Sequence, residues 1–224
     1  MINTSSGVAK EIVNKYIREN MTIGLGSGSA VTKIVKEIGK ISIKDSLSFI
    51  PTSLQIGVVA EELNLRITDE TKISEINIVF DGADQIDSDL NMIKGGGGAL
   101  LKEKIITSAS RELVILADSS KYVKSFTSPV PIEVHKFARS IVKDKLKQIG
   151  GQPRLRILEK GYPFITESAN LIYDTIFEPY ESQSKKENEI KNIPGVIEVG
   201  LFTRRADAYY KSNTDGSFEI IFGH

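Results

Sequence analysis

The 224-residue chain is long enough for one large domain, or for a main domain with a smaller one. Its 29 basic and 29 acidic side chains give a formal net charge of zero, which argues against a protein that holds nucleic acid or an anionic membrane by bulk charge. It contains no cysteine and only two histidines, which excludes disulfide scaffolds, thiol catalysis, and zinc–thiolate, iron–sulfur and histidine-rich metal sites.

The sequence shows no targeting or membrane segment. The N-terminal residues MINTSSGVAKEIV lack the basic and apolar regions of a secretory signal. No apolar run approaches the length needed to cross a bilayer. We therefore expect a soluble, cytoplasmic protein whose chemistry uses aspartate, glutamate, lysine, serine and backbone amides.

Helices and apolar strands alternate through the first half of the chain. The periodicity of apolar residues predicts helices at 5–20, 30–39, 53–63 and 99–110 and strands at 22–25, 46–50, 76–80 and 112–117. This order is typical of a Rossmann-like α/β domain, in which a parallel sheet is covered by helices on both faces. Ligands of such folds bind at the carboxyl ends of the strands, so the turns there are the candidate site.

The pattern changes near Pro129. Strands are predicted at 131–134, 154–158, 170–177 and 195–202, and helices at 138–150 and 181–193. The order β-α-β-β-α-β predicts a smaller α+β domain of the ferredoxin-like or ACT-like kind. Strands at 206–211 and 218–222 flank a hairpin turn and are expected to return to the first sheet. We therefore expect a catalytic domain of residues 1–128 and 203–224 and a small domain of residues 129–202.

The first strand-end loop is glycine-rich, running GLGSGSA from Gly24 to Ala30. Glycines allow a ligand to approach the backbone closely, and the amides of the following helix with the Ser27 and Ser29 hydroxyls suit a phosphate group. The spacing G-x-G-x-G is not the dinucleotide fingerprint, and no Lys-Ser/Thr pair follows as in a Walker loop. The alternative is a tight turn in which a serine caps the helix.

The second loop, FDGADQID, places Asp81 and Asp84 directly after a buried strand. Two such carboxylates can hold sugar hydroxyls, bind Mg²⁺ or transfer protons. A calcium loop beginning at Asp87 fails, because its turn glycine and bidentate glutamate fall on Met92 and Gly98. The alternative is a capped turn with solvated charges.

The third loop runs MIKGGGGALLKEKI and contains four consecutive glycines, which are costly in chain entropy. Lys94 precedes them, and Glu103 lies one turn into the next helix, where it can point inward without its lysine neighbours. An amide-rich loop with a lysine and a glutamate resembles an oxyanion site facing a general base. The alternative for Glu103 is a surface charge. Lys121, after the fourth strand, is a weaker candidate for pairing with phosphate, and His135 is expected to be structural.

Together these segments resemble the ribose-5-phosphate isomerase A family along essentially the whole chain, from TIGLGSGSA through DGAD and KGGGGALLKEKI to IPGVIEVGLF. The resemblance implies an aldose–ketose isomerase of the non-oxidative pentose phosphate pathway that interconverts D-ribose 5-phosphate and D-ribulose 5-phosphate without cofactor or metal. It makes Glu103 the proton-transfer base and adds Lys94, Asp81 and Asp84 to the catalytic set, with Asp81 or Asp84 assisting ring opening. The implied substrate-binding residues are Ser27, Gly28, Ser29, Ala30, Asp81, Gly82, Ala83, Asp84, Lys94, Gly95, Gly96, Gly97 and Lys121.

The sequence departs from the family pattern at three positions. Ala30 stands where the phosphate loop T-G-S-T ends in threonine, so one contact is lost or is supplied by a backbone amide. Gln85 stands where G-A-D-E has glutamate, which puts any role of that glutamate in doubt. Gly98 replaces a frequent alanine, a change expected to be harmless. The resemblance also implies a homodimer or homotetramer assembled through the small domain, with no nucleic-acid or membrane partner.

Two other functions remain as alternatives. A sugar-phosphate-sensing regulator could share this sheet, but only about 20 residues precede the first strand, too few for a winged helix. An enzyme similar to acyl-CoA transferases would use a glutamate after a glycine-rich loop as nucleophile. Turnover of ribose 5-phosphate would separate the isomerase from both.

Overall fold

A computed structural model describes residues 5–68 and 75–223. Residues 1–4, 69–74 and 224, which belong to the expected catalytic domain, lie outside the described part. Over the described residues the helices are α1 Ser5–Tyr16, α2 Ser29–Ile38, α3 Leu54–Glu62, α4 Leu100–Ala109, α5 Arg139–Gln148 and α6 Gln183–Lys191. The strands are β1 Thr22–Leu25, β2 Ser48–Pro51, β3 Ile76–Asp81, β4 Gln85–Ile86, β5 Met92–Ile93, β6 Ser110–Asp118, β7 Val130–Val134, β8 Gly151–Leu155, β9 Leu171–Phe177, β10 Val196–Val199, β11 Leu201–Phe202, β12 Ala208–Ser212 and β13 Phe218–Phe222.

The chain divides into two compact units. The large unit comprises Met1–Ala83, Lys102–Lys121 and Ala206–His224, and the small unit comprises Asp84–Leu101 and Tyr122–Arg205. The expected boundaries differ from this division chiefly in residues 84–101, which cluster with the small unit. The reason is local pairing, because β4 and β5 lie in that segment and β5 pairs with β11.

The large unit contains a six-stranded sheet in the order β13-β12-β6-β3-β1-β2. Its strands are parallel except β13, which forms an antiparallel hairpin with β12. The Rossmann-like prediction and the return of the last two strands to this sheet are therefore confirmed. Apolar strands and the apolar faces of α1, α2 and α3 form one buried core that includes Ile12, Ile34, Phe49 and Phe80.

Helix α4 packs closely on the sheet at Gly24 of β1. A Cβ atom on Gly24 would lie 2.6 Å from Val79 Cγ2 and 2.9 Å from Ile106 Cδ1. Real Cβ atoms do not approach that closely, so the absence of a side chain lets Ile106 of α4 come against β1. This contact positions the helix that carries Glu103.

The small unit contains a four-stranded antiparallel sheet in the order β10-β7-β9-β8. Helices α5 and α6 bury Val142, Leu146 and Ile190 against one face of it. The connectivity β7-α5-β8-β9-α6-β10 confirms the predicted β-α-β-β-α-β order. A second, three-stranded sheet, β11-β5-β4, also lies in this unit.

Two strand predictions in the small unit are wrong in detail. The single strand expected at 195–202 is divided at Gly200, whose amide donates to Pro131 O (2.7 Å) and whose carbonyl accepts from Lys94 N (2.9 Å). A Cβ there would collide with Lys94 O, so glycine is required where the chain passes from one sheet to the other. The strand expected at 154–158 is β8 at 151–155, an edge strand that tolerates Pro153 because its neighbour lies on one side only.

Candidate active site

The first glycine loop follows β1 and closes against the end of β3 in the large unit. Gly26 N donates to Phe80 O at 2.9 Å. A Cβ on Gly26 would overlap the Asp81 carboxylate, so glycine is the residue that lets Asp81 lie beside the loop. Ser27 Oγ donates to Ser53 Oγ (2.8 Å) and shares a hydrogen bond with Thr52 Oγ1 (2.9 Å), and this network fixes the loop.

Helix α2 begins directly after this loop. Its N-cap is Gly28, with φ 92° and no side-chain cap hydrogen bond, so the alternative of a serine cap is wrong. Gly28 and Ser29 are exposed and Ala30 is half-buried. The first amides of a helix have no intrahelical acceptor, and with the positive end of the helix dipole they suit a phosphate group.

Asp81 ends strand β3 and is 1% exposed. Its Oδ1 accepts a hydrogen bond from Gly82 N at 2.7 Å. Burial of a carboxylate is costly unless hydrogen bonds compensate, which makes Asp81 a constrained group with a fixed orientation. Gly82 and Ala83, which follow it, are half-buried, and the sequence-predicted group DGA is thus adjacent to the first glycine loop in the large unit.

Glu103 lies in the first turn of α4 and is 5% exposed. The alternative of a solvated surface charge is therefore wrong. A carboxylate in the first helical turn is stabilised by the helix dipole. Because α4 connects the parallel strands β3 and β6, its N-terminus points toward the edge of the sheet where β3 ends.

Lys121 follows β6 at the same edge, at the end of a short turn, and its side chain is exposed. The turn is fixed by Asp118, whose carboxylate accepts a hydrogen bond from Ser120 N at 2.9 Å. The hydrogen bonds from Ser120 hold the pKa of Asp118 below its usual value, and the charge of Lys121 acts in the same direction. An exposed lysine on a fixed turn suits an anionic group that arrives from solvent.

In the small unit, Asp84 lies beside the second glycine loop. Its amide donates to Ile93 O at 2.8 Å, and its Oδ2 accepts from Gly96 N at 2.7 Å. A Cβ on Gly96 would lie 2.8 Å from Asp84 Oδ1, so glycine allows this approach. Lys94, which opens the loop, is 3% exposed, and its ammonium lies 5.4 Å from the centre of the Phe202 ring.

The second glycine loop, which belongs to the segment MIKGGGGALLKEKI, has glycine at two positive φ angles. Gly95 has φ 98° and Gly98 has φ 84°, and Gly98 N donates to Gly95 O at 3.0 Å to close the turn. Gly96 and Gly97 between them are exposed. A Cβ on Gly98 would lie 2.5 Å from the Phe164 ring, so an alanine at this position would require the Phe164 side chain to move, and the change from alanine is not neutral in this chain.

Three residues around these loops were not predicted from the sequence. Thr52 is buried after β2 and donates to Leu25 O (3.0 Å), so it belongs to the network under the first loop. Gln85 holds the segment that leads into β7, since its amide bonds Thr127 and Ser128. Arg156 donates to the carbonyl oxygens of Gly95 and Gly96 in the second glycine loop. Each partner is distant in sequence, and no local pattern marks such pairs.

The structure brings the predicted residues together in two groups. Those of the large unit lie at the strand ends and the start of α4: Ser27, Gly28, Ser29, Ala30, Asp81, Gly82, Ala83, Glu103 and Lys121. Those of the small unit lie in and beside the second glycine loop: Asp84, Lys94, Gly95, Gly96 and Gly97. Among the described residues no set of three or more acidic, histidine or cysteine side chains is arranged to hold a metal ion. No helix in the described ranges is long and apolar enough to span a membrane.

The sheet topology defines an α/β protein, and amide-rich loops with buried carboxylates are typical of sites that bind a small anionic ligand and transfer protons. The sequence model of the family described as ribose 5-phosphate isomerase A (phosphoriboisomerase A) matches residues 48–216. The chain belongs to this family.

Similar proteins with this name span almost the whole chain. Ribose-5-phosphate isomerase A of Bacillus mycoides is 39% identical over 198 residues, which cover 87% of this chain and 89% of the relative. Ribose-5-phosphate isomerase of Dictyostelium discoideum is 34% identical over 226 residues, covering 97% of each.

Solved structures agree with the sequence relatives. Ribose 5-phosphate isomerase A of Neisseria gonorrhoeae superposes with a TM-score of 0.90 at 34% identity, covering 99% of this chain and 96% of that one. A D-ribose-5-phosphate isomerase in complex with phospho-erythronic acid superposes with a TM-score of 0.90 at 33% identity, covering 98% and 97%. These likenesses favour the isomerase over the regulator and the transferase.

Proposed function

We propose that Glu103 is the base through which this protein, an aldose–ketose isomerase of the ribose-5-phosphate isomerase A family, interconverts D-ribose 5-phosphate and D-ribulose 5-phosphate. The observation that carries the assignment is the burial of the Glu103 carboxylate in the first turn of α4, although lysines flank it in sequence. A carboxylate held rigidly and shielded from water is suited to abstract a weakly acidic proton.

The proposed reaction moves one carbon-bound proton. Glu103 removes the proton from C2 of the open-chain aldose, and the electrons shift to give a cis-enediolate. The same carboxyl group returns the proton to C1, while O1 gains and O2 loses a proton, which gives the ketose. One base suffices because both carbon atoms are approached from the same face, and a positioned group of this kind contributes about 10²–10⁴-fold.

Lys94 and the amides of Gly95, Gly96 and Gly97 are the donors proposed for the developing oxyanion. A buried ammonium and preorganised amides stabilise such charge without reorganising during the reaction. Their order in the chain supports the assignment, because this loop leads directly into α4, which carries Glu103.

Ring opening precedes the isomerisation and requires proton transfer between O1 and the ring oxygen. Asp81 and Asp84 are the proposed groups, and the choice between them stays open. For the phosphate we propose the first amides of α2 with Ser27, Gly28, Ser29 and Ala30. The Lys121 ammonium is the proposed cationic contact, and its exposure on a fixed turn supports this role.

Assembly and compartment are also proposals. We infer a homodimer or homotetramer in the cytoplasm, with the expected small domain of residues 129–202 as the assembling part. Light scattering coupled to size exclusion, on the full chain and over a range of concentrations, would give the number of subunits.

Replacement of Glu103 by glutamine tests the central assignment. Glutamine keeps the size and much of the hydrogen bonding but cannot accept the proton, so we expect kcat to fall by about 10²–10⁴-fold. The measurement is a coupled assay of ribulose 5-phosphate formation, run in EDTA so that no added metal contributes. Affinity for phospho-erythronic acid should largely persist, and solvent deuterium exchange at C2 should fall with kcat.

Retained activity in the Glu103→Gln variant would contradict the assignment. If Glu103→Gln keeps both turnover and C2 exchange within a few-fold of the original protein, Glu103 is not the base. Asp81 and Asp84 then become the candidates, to be tested as the corresponding asparagine variants.

A further inference from the structure

Arg156 of the small unit bonds the backbone of the second glycine loop. Its Nη1 donates to Gly95 O and to Gly96 O, both at 2.9 Å. Gly95 and Gly96 precede it by 61 and 60 positions, so the contact is fully non-local. The sequence motifs that define the proposed site do not include this arginine.

The guanidinium group is itself held on its other side. Nε donates to Asp174 Oδ2 at 2.8 Å and Nη2 donates to Asp174 Oδ1, which is a bidentate ion pair. The Phe164 ring centre lies 5.6 Å from the guanidinium carbon. Only 15% of the Arg156 side chain and 25% of the Asp174 side chain are exposed. The guanidinium group of Arg156 is therefore held in a single orientation.

The position of the guanidinium group determines the direction of the amides in the second glycine loop. In a trans peptide the N–H of one residue points away from the C=O of the residue before it. Since Gly95 O and Gly96 O both face Arg156, the amides of Gly96 and Gly97 both face away from it. The Gly96 amide then donates to Asp84 Oδ2 at 2.7 Å. The exposed Gly97 amide has no acceptor among the described residues.

Because this loop consists of glycines, its peptide planes need hydrogen-bond partners that fix their orientation. Each of these peptide planes can rotate with little steric resistance, because neither residue carries a Cβ. Gly98 N and the Asp84 carboxylate also hold the Gly95–Gly96 plane, whereas Arg156 is the only hydrogen-bond partner of the Gly96–Gly97 plane among the described residues. The two hydrogen bonds from this charged donor present the amides on the face opposite Arg156. A single ammonium could not bond the two carbonyls and the Asp174 carboxylate in one plane.

We propose that Arg156 is a positioning residue for the isomerisation, which acts by orienting the Gly96 and Gly97 amides and, through the Gly96 amide, the carboxylate of Asp84. The proposal rests on the proposed function: the Gly97 amide is a donor to the enediolate, and the Gly96 amide holds Asp84, a group proposed for ring opening. Arg156 touches no reacting atom, and its effect is exerted through the peptide planes that it holds. Asp174 and Phe164 fix Arg156 in turn.

The test compares Arg156→Ala with Arg154→Ala in the full-length protein. Arg154 lies two residues earlier, in β8, is exposed, and its side chain makes no hydrogen bond to the described residues. We expect Arg156→Ala to lower kcat by about 10–100-fold, the size expected when a catalytic donor is misplaced. KM for ribose 5-phosphate should change less than about threefold, and Arg154→Ala should match the original protein.

Two further measurements separate positioning from loss of fold. Phospho-erythronic acid carries a carboxylate where the enediolate develops, so its inhibition constant should rise with the fall in kcat. Guanidinium chloride at millimolar concentration should restore part of kcat in Arg156→Ala, whereas sodium chloride at equal ionic strength should not. Arg156→Lys keeps the charge but not the fork, and should recover only part of the activity.

Three outcomes would overturn the proposal: equal activity of Arg156→Ala and Arg154→Ala, full activity of Arg156→Lys, or a loss of kcat with unchanged inhibitor affinity and no guanidinium rescue. If Arg156→Ala does not fold, Arg156→Lys decides by the same measurements. Glu103→Gln, measured in parallel, should lose turnover but retain its affinity for phospho-erythronic acid. Failure of the base assignment would therefore appear in that variant and leave the Arg156 comparison intact.

Discussion

The two glycine loops differ in how each is held beside an aspartate of the DGAD segment. In the large unit, Gly26 admits the buried carboxylate of Asp81, and neutral hydroxyls of Ser27 and Thr52 fix the loop. In the small unit, Gly96 admits the carboxylate of Asp84, and the charged fork of Arg156 fixes exposed glycines. The same residue types thus serve a loop fixed by neutral hydroxyl groups and a loop fixed by a charged guanidinium group.

This difference predicts different tolerance of an added side chain. At Gly26 there is no room to adjust, because Gly26 and the neighbouring Asp81 are both buried. A loop that faces solvent can move by a few tenths of an ångström, at the cost of its hydrogen-bond geometry. Substitutions in the two loops therefore test this difference directly.

Gly26→Ala should have the largest effect. The new Cβ would overlap the Asp81 carboxylate, which is buried at the end of β3 and cannot withdraw without disturbing the sheet. We expect the free energy of unfolding to fall by about 1–3 kcal/mol and kcat to fall at least about 10²-fold. Thermal melts and the coupled assay measure both. Gly7→Ala, in helix α1 where nothing lies within 4 Å of the added Cβ, is the contrasting variant and should not lower stability, because alanine favours a helix over glycine by about 0.5–1 kcal/mol.

Gly96→Ala should have a smaller effect on stability than Gly26→Ala. Its Cβ would approach Asp84 Oδ1 to 2.8 Å, but Asp84 is only half-buried and can shift. We expect less than about 1 kcal/mol of destabilisation and a fall in kcat of about tenfold. Gly97→Ala, with nothing within 4 Å, should leave the melting temperature unchanged. A loss of stability as large as that of Gly26→Ala would contradict the proposed contrast between the loops.

Lys121→Ala should act on substrate affinity. Its proposed phosphate contact exists in the ground state and the transition state alike, so KM should rise and kcat should be roughly kept. A hydrogen bond to a charged group is worth about 1.5–3 kcal/mol, which corresponds to about 10–100-fold in KM. Steady-state kinetics with ribose 5-phosphate measure both constants. A large loss of kcat at constant KM would instead show that Lys121 takes part in the chemical step.

Ala30→Thr should have the smallest effect. If the first amides of α2 supply the phosphate contact, the added hydroxyl should change KM by less than about threefold. A fall in KM corresponding to about 0.5–1.5 kcal/mol would show that the contact is missing in this chain. The Ala30 Cβ lies 3.8 Å from the position of a Cβ on Gly82, so a collapse of kcat would reveal closer packing there.

The parts predictable from the sequence are those with a local signal. Strands at 22–25 and 218–222 have the predicted bounds because short apolar runs are delimited by glycine or polar turns. Glu103 could be predicted to point inward from its place on the helix, and its burial agrees with that. The family resemblance rests on three loops, each a weak signal alone.

The parts that were missed depend on contacts between distant residues. The break at Gly200 depends on its contacts with Lys94 and Pro131, and the close contact at Gly98 is with Phe164. No periodicity in the sequence marks these contacts. β4 and β5 have two residues each, too few to form an alternating pattern. The clamp by Arg156 spans 60 residues and involves backbone carbonyls, which leave no trace in side-chain composition.

The hairpin β12–β13 has a consequence for the order in which the protein is made. These strands complete the six-stranded sheet beside β6, yet they follow the whole small unit in the chain. During synthesis, β6 has no partner on that side until the ribosome has released all of the small unit, whose antiparallel sheet is built from one continuous segment. We expect the small unit to fold first, and the nascent large unit to expose an open strand edge that a chaperone can recognise.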